Sequence, residues 1–238
     1  MASLCENTTC KRVEGTVGIR SAPIQAISIN LGYTRAKRVL DVVFTLLFSL
    51  PILLICAVIA VLILLDSRGP IIYRQKRVGR NGQDFEMLKF RSMYVNCDDI
   101  RHRTAIKHYI NGRTLNNDEL APYKTHDDPR VTRIGKFIRA ASLDELPQFW
   151  NVLCGDMSLV GPRPPLPYEV ELYSLRDRLR LAGYPGLTGP WQVFGRSRVT
   201  FESMVEMDIT YLQQQSLWED IKLIFLTVPV VIQKRGGA

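Results

Sequence analysis

The chain has 238 residues, 46% of them hydrophobic, and a formal net charge of +8. That is enough apolar material for a folded core and excludes a disordered chain, while the charge predicts attraction to polyanions: nucleic acid, an anionic membrane or phosphorylated substrates. Five cysteines without a CxxC pair and three histidines without ligand spacing suggest neither a disulfide framework nor a zinc site, and favour reduced, cytoplasm-facing thiols.

In chain order, residues 1–34 mix polar residues with Pro23 and read as a flexible leader. Val42 to Leu65 then run for 24 residues without a charge. As one helix this stretch would reach roughly 36 Å, against a hydrocarbon core of about 30 Å, so the chain is predicted to be membrane-bound. A single-pass anchor is the simple reading. Two features favour a re-entrant helical hairpin over residues 35–66. Ser49-Leu50-Pro51 interrupts the segment, with Pro51 removing a helical hydrogen bond and Ser49 placed to give its hydroxyl to a freed carbonyl. Basic residues also flank both ends, Arg35, Lys37 and Arg38 before and Arg68, Arg74, Lys76, Arg77 and Arg80 after, which places both ends in the cytoplasm. Asp41, at the head of the run, is expected to lie at headgroup level or to pair with Lys37.

The remainder, residues 67–238, reads as one cytoplasmic domain. Residues 71–78 and 84–91 flank Asn81-Gly82 and predict a β-hairpin. Lys89 and Arg91 stand near the end of its second strand, and from the residues alone are surface cations. Neither a dinucleotide fingerprint nor a Walker loop occurs. Residues 94–128 are polar, with turns at Asn111-Gly112 and Ala121-Pro122, and carry no functional signal. Arg130, Arg133, Lys136 and Arg139 recur every third residue, giving a basic stripe beside Ile134, Phe137 and Ile138. That is either a solvated face or a surface for lipid headgroups, with Arg139 clamping a phosphate.

The run from Arg139 to Pro164, RAASLDELPQFWNVLCGDMSLVGPRP, is the most informative. Leu146, Phe149, Trp150 and Leu153 fall on one face of a short helix that Gly155 ends, so Asp144 and Glu145 sit at its start, where unpaired N–H groups favour anions. With Ser142 as N-cap, Glu145 completes a capping box, a structural role; Pro147 instead favours Asp144 as N-cap. Spacing alone favours capping over catalysis. Beyond it, Pro162, Pro164, Pro165 and Pro167 predict a stiff loop that presents Arg163, suited to bidentate contact with a diphosphate. Trp191 and Arg196, in GPWQVFGRS, are candidates for a sugar or uridine pocket, with a core role for Trp191 at least as good a reading. From Met204 to Val231 the apolar spacing predicts amphipathic helices along a bilayer. Asp208 and Asp220 have capping or ion-pair roles there, and the basic ending Gln233-Lys234-Arg235 suits anionic lipid.

Four ordered motifs resemble the bacterial sugar transferase family, the monotopic polyprenyl-phosphate phosphoglycosyl transferases. They are RAKRVLD before the apolar segment, GPIIYRQKRVGRNGQDFEMLKFRSM, DDPRVTRIGKFIRAASLDELPQFWNVLCGDMSLVGPRP, and PGLTGPWQVFGRS followed by SLWEDIKLIFLTVPVV. The resemblance covers most of residues 35–238. It implies a helix-rich α+β fold: a re-entrant membrane hairpin bent at Ser49 and Pro51, a catalytic domain with a β-hairpin on the cytoplasmic face of the bacterial inner membrane, and interfacial amphipathic helices. SLP stands here where many members read SP, which could shift the bend. The implied reaction moves hexose-1-phosphate from a UDP-sugar to polyprenyl phosphate, releasing UMP. Asp144 is the implied nucleophile and Mg²⁺ ligand, Glu145 its assistant, and Lys89, Arg139 and Arg163 are phosphate partners. Glucose or galactose is the sugar the last motif favours. The competing readings are a non-enzymatic membrane-anchored basic adaptor, which requires no carboxylate pair, and nucleic-acid binding, for which no recognised motif occurs. Pathway and oligomeric state are not legible.

Overall fold

The computed structural model describes residues 30–95, 100–112, 128–195 and 199–232. Most of the predicted leader, the Ala121-Pro122 turn, Arg196 and the basic ending lie outside the described residues. Helix α1 (Leu31–Leu47) starts four residues inside the stretch assigned to the leader, because the Asn30 side chain caps it by accepting the N–H groups of Gly32 and Tyr33. Helix α2 (Ser49–Asp66) follows after an interruption at Phe48. The Ser49 hydroxyl donates to the Leu46 carbonyl at 2.7 Å. Pro51 falls in the first turn of α2, where no intrahelical N–H bond is lost, so the break comes just before the Ser-Leu-Pro run.

The two helices differ in what they bury. Helix α2 is long and apolar enough to cross a membrane, and most of its large side chains are exposed. Only Ile59 and Ile63 are buried, packed with Phe90 and Ile138. Helix α1 buries polar residues instead, Lys37, Asp41 and Thr45. Lys37 pairs with Asp220 at 2.9 Å and Asp41 accepts the Leu159 N–H at 3.1 Å. Asp41, 2% exposed, is thus packed inside the protein, where it accepts that bond and also feels the charge of Lys37. Arg38 donates to the carbonyls of Val152 and Leu153 (2.6 Å to the latter).

Strands β1 (Ile72–Val78) and β2 (Asp84–Phe90) form the expected antiparallel hairpin, with Tyr73 opposite Lys89. Asn81 and Gly82 both take positive φ, 57° and 77°, the conformation for which that dipeptide is favoured. Helix α3 (Ile100–Ile110) forms within the stretch that carried no signal; it buries Ile106 and ends at the Asn111-Gly112 turn. Helix α4 (Arg133–Ala140) is capped by Thr132 and holds only part of the basic stripe. Arg130 precedes it and pairs with Asp128, while Arg133, Lys136 and Phe137 are exposed and Ile138 is buried. A Cβ on Gly135 would lie 2.0 Å from the Ser92 carbonyl oxygen, so this glycine lets α4 touch the chain leaving β2.

Helix α5 (Gln148–Cys154) stops at Gly155, φ 88°, and leads into β3 (Ser158–Val160), which pairs in parallel with β4 (Gly186–Thr188); between these strands lies the short helix α6 (Pro167–Glu171). Helices α7 (Phe201–Gln214) and α8 (Leu217–Ile232) complete the helix-rich α+β body. One core cluster joins Phe85 and Met87 of β2 to Val152, Leu159, Leu212 and Leu223. A second gathers Val78, Tyr173, Trp191, Phe201, Met204 and Ile209. Helix α7 is thus a core helix and not the interfacial one its spacing suggested, since Met204, Val205, Ile209 and Leu212 point into these clusters. Helix α8 buries Asp220 and Leu223 but exposes Trp218 and Phe225.

Candidate active site

Helix α4 ends at Ala141, and Ser142 then takes a left-handed conformation, φ 56°, that turns the chain sharply. A single 3₁₀ turn, Leu143–Glu145, carries the two acids, and Pro147 leads into α5. Ser142 makes no side-chain cap bond, and Asp144 lies too early to cap α5. Neither register weighed from spacing occurs: the positive φ of Ser142 places a separate turn before the helix, so no capping box forms, and Asp144 does not cap α5. The buried face of α5 also differs from the predicted apolar stripe. It is Gln148, Asn151 and Val152, while Trp150 is 46% exposed.

Released from capping, the carboxylates face Lys89 at the end of β2. Lys89 Nζ donates to Glu145 Oε1 at 2.9 Å and stands 4.0 Å from Asp144 Oδ2. Arg163 Nη1 lies 3.6 Å from the same Glu145 oxygen. Arg139, in the last turn of α4, acts on Asp144 through space. The acids are therefore unequal. Removal from water raises the Asp144 carboxyl above the ordinary range, and the neighbouring Glu145 charge adds to this against the pull of Lys89, Arg139 and Arg163. Glu145 experiences the same desolvation, but Lys89, Arg163 and Arg77 outweigh it and hold the carboxyl well below its ordinary value.

The Arg163 loop is held from both sides. Gly161 N–H donates to Thr188 O and Gly186 N–H to Pro162 O, at 2.8 and 2.9 Å. A Cβ on Gly161 would lie 2.2 Å from the Tyr184 carbonyl oxygen. On the other side, Arg77 Nη1 donates to Pro164 O at 2.8 Å and Val78 N–H to Pro165 O at 2.9 Å. The predicted stiffness thus comes from strapping to β1 and β4 as well as from proline. Behind the loop lie Glu169, whose carboxyl burial pushes up despite Arg77, Arg180 and Arg163, and the buried Arg180–Asp208 pair.

Lys89, Arg139, Asp144, Glu145 and Arg163 are thus neighbours, drawn from β2, α4, the acid turn and the proline loop. Trp191 is not among them; it is 7% exposed within the second core cluster, the core role its sequence also allowed. Arg77, Asn151 and Glu169 support the site and carried no signal in the sequence, since each acts through a tertiary contact. Among the described residues no three or more His, Cys, Asp or Glu side chains gather as a metal cage. A Mg²⁺ site fits here only in the form that shares one or two carboxylates with substrate phosphates, for which the partly exposed Asp144 is the candidate.

The family described as bacterial sugar transferase matches residues 32–234. The chain is 44% identical over 206 residues to the galactosyl transferase CpsE of Streptococcus agalactiae, covering 85% of this chain and 43% of that protein. It is 43% identical over 218 residues to the UDP-galactose-lipid carrier transferase of Erwinia amylovora, covering 90% and 44%. To the undecaprenyl-phosphate galactose phosphotransferase of Salmonella typhimurium it is 40% identical over 206 residues, covering 85% and 42%. The chain spans less than half the length of each of these relatives.

Proposed function

The chain belongs to the bacterial sugar transferase family, and from that premise we propose that it transfers hexose-1-phosphate from a UDP-hexose to polyprenyl phosphate through a covalent intermediate on Asp144. The observation that carries this reading is the inequality of the two acids, with Lys89 closed on Glu145 at 2.9 Å and open to Asp144 at 4.0 Å. Asp144 is the carboxylate whose charge is least compensated, and a carboxylate needs no base to attack phosphorus.

In the first step an Asp144 carboxylate oxygen bonds to the β-phosphorus of the donor. The bond from that phosphorus to the bridging oxygen breaks, and UMP leaves with the electron pair. In the second step an oxygen of polyprenyl phosphate attacks the same phosphorus. Asp144 leaves as carboxylate and the product is a polyprenyl-diphosphate hexose. Anions approach an anion in both steps, so charge neutralisation is the main requirement. Arg163 and Arg139 hold the diphosphate, and Lys89 keeps Glu145 ionised and fixed beside it. Asp144 would hold Mg²⁺ when it is bound, and the ion would supply further neutralisation of the phosphate charge. The names of the relatives support UDP-galactose as the first donor to try and undecaprenyl phosphate as the acceptor.

The site belongs at the cytoplasmic face of the bilayer, next to a re-entrant hairpin. Lys37 and Asp41 of α1 and Ile59 and Ile63 of α2 rest on the same body, while the apolar side chains around Phe48 between them are exposed; this supports both ends of the hairpin lying on one side. Cysteines at positions 34 and 70 are expected to label from the same face, and opposite labelling would restore a single crossing. For the chemistry, label in the donor's β-phosphate is expected to stay on the protein before acceptor is added, and to be absent in Asp144→Asn. Full turnover by that variant would overturn the mechanism.

A further inference from the structure

The best-satisfied polar side chain near the acids touches neither of them. Asn151, 1% exposed on α5, turns its amide to the outer edge of β2, with a longer bond from Nδ2 to Asp156 Oδ2 at 3.4 Å. Its Oδ1 accepts the Leu88 N–H at 3.0 Å, and its Nδ2 donates to the Glu86 carbonyl at 2.8 Å. Tyr73 stands opposite Lys89 and Gln75 opposite Met87 across the hairpin, so the Leu88 N–H and Glu86 C=O point away from β1. A side chain stands where a third strand would bond. The backbone of the same residue is fixed as well, its carbonyl accepting the N–H groups of Gly155, Asp156 and Met157 at 3.1, 3.1 and 3.2 Å.

That edge matters because of what β2 and α5 carry. Phe85, Met87 and Lys89 alternate onto one face of the strand, and Phe85 and Met87 pack in the core cluster with Val152, one residue beyond Asn151. The acid turn lies just before α5, beside Lys89. The lysine's distances to its two acids, 2.9 and 4.0 Å, differ by about an ångström. A one-residue slip of helix against strand would move it by about 3.4 Å and turn it to the other face. Apolar packing tolerates small sliding, whereas two opposed hydrogen bonds from one planar amide do not.

We propose that Asn151 is a positioning residue that fixes the acid-bearing turn against β2, and so decides which carboxylate Lys89 neutralises. The inference rests on the proposed transferase reading, yet part of its test does not need turnover. The experiment uses the full chain in lipid bilayers, with Asn151→Asp, Asn151→Ala and, as a control of stability alone, Thr200→Ala, which removes the N-cap of α7. Asn151→Asp is nearly isosteric, keeps the acceptor and loses the donor. Competitive acetylation read by mass spectrometry is expected to find Lys89 severalfold more reactive in both Asn151 variants and unchanged in Thr200→Ala. UMP release is expected to lose kcat by about 30-fold, with KM for UDP-galactose within about twofold of wild type. In the wild type, hydrogen exchange at the Leu88 amide is expected to be as slow as in the paired interior of β2. Fast exchange there, or a folded Asn151→Asp protein with Lys89 as protected as in wild type, overturns the inference without reference to activity. A rise in Lys89 reactivity with no UMP released even by wild type would sustain the positioning role and reject the transferase reading.

Discussion

Two buried clusters of opposite charge sit close together in this fold and are built on different rules. Around Arg180 and Asp208 a guanidinium and a carboxylate meet at 2.5 Å, with side chains 2% and 0% exposed, and the Tyr173 hydroxyl accepts a further guanidinium bond at 2.9 Å. Burial still pushes the Asp208 carboxyl up to about 6. Around Lys89 the pairing is two acids to one lysine, with an arginine reaching in and every member partly open to solvent. The first cluster is closed to solvent, and its carboxylate is matched by a guanidinium. The second leaves a carboxylate undercompensated and cations at its rim, and a ligand bearing both phosphate and metal would complete it. Proximity of charges does not separate structure from chemistry here; stoichiometry and access do.

Removing one partner from each cluster should break the molecule in different ways. Asp208→Ala takes its bonded carboxylate from the buried Arg180 guanidinium, and is expected to cost about 3–5 kcal/mol of stability while the folded fraction keeps its turnover. Thermal unfolding and UMP release per folded protein measure the two halves. A stable but inactive Asp208→Ala protein would erase the distinction and move Asp208 into the reaction. Lys89→Met should do the reverse. Its loss of stability is expected to be smaller than that of Asp208→Ala, because the cluster is partly open to solvent, while kcat/KM falls by about 10²–10³-fold through lost charge neutralisation. Near-normal activity of Lys89→Met would make that ion pair structural.

The comparison can be sharpened within the second cluster. Glu145→Gln removes a like charge from beside Asp144 and frees Lys89 to approach it, and both changes lower the Asp144 pKa. On the proposed mechanism Asp144 reacts ionised, so in wild type its raised pKa is expected to make the rate fall, as pH drops, at a higher pH than an ordinary aspartate would. The acid limb of the pH–rate profile is therefore expected to move to lower pH in Glu145→Gln, with a loss of about tenfold in kcat at neutral pH. A limb that moves upward or stays in place would contradict the assignment of the raised group to Asp144.

Features decided by neighbours in the chain were legible before the fold was known. Asn81-Gly82 made the hairpin turn, Gly155 stopped α5, and the Ser49 hydroxyl bonds the Leu46 carbonyl at the break between α1 and α2. Features decided by distant neighbours were not. The apolar residues of α7 were periodic enough for a bilayer-facing helix, and only the surrounding core shows that they face protein. Asn151 carried no signal because its partners, the Leu88 N–H and the Glu86 carbonyl, lie on a strand far earlier in the chain. The acids are the mixed case. Their physical reading as helix caps, by Ser142 with Glu145 or by Asp144, failed on a separate turn opened by the positive φ of Ser142, which no local rule for serine predicts. Only the family resemblance pointed to Lys89 as their partner, since 55 residues of chain separate Lys89 from Asp144.

The smallest effect is expected at a third set of charges that resembles the acid site on paper. Arg176 faces both Glu202 and Glu206, again one cation between two carboxylates. Its side chain is 55% exposed and that of Glu202 is 85% exposed. Water there competes for every bond, the Coulomb gain is screened, and ordering three long side chains costs entropy. Arg176→Ala should therefore change stability by less than about 1 kcal/mol, less still at high salt, and leave UMP release unaltered. If the variant lost several times that stability, or any turnover, two-to-one pairing alone would be enough to give a cluster weight. The expected silence instead makes restricted access to water the feature that distinguishes the Lys89 cluster.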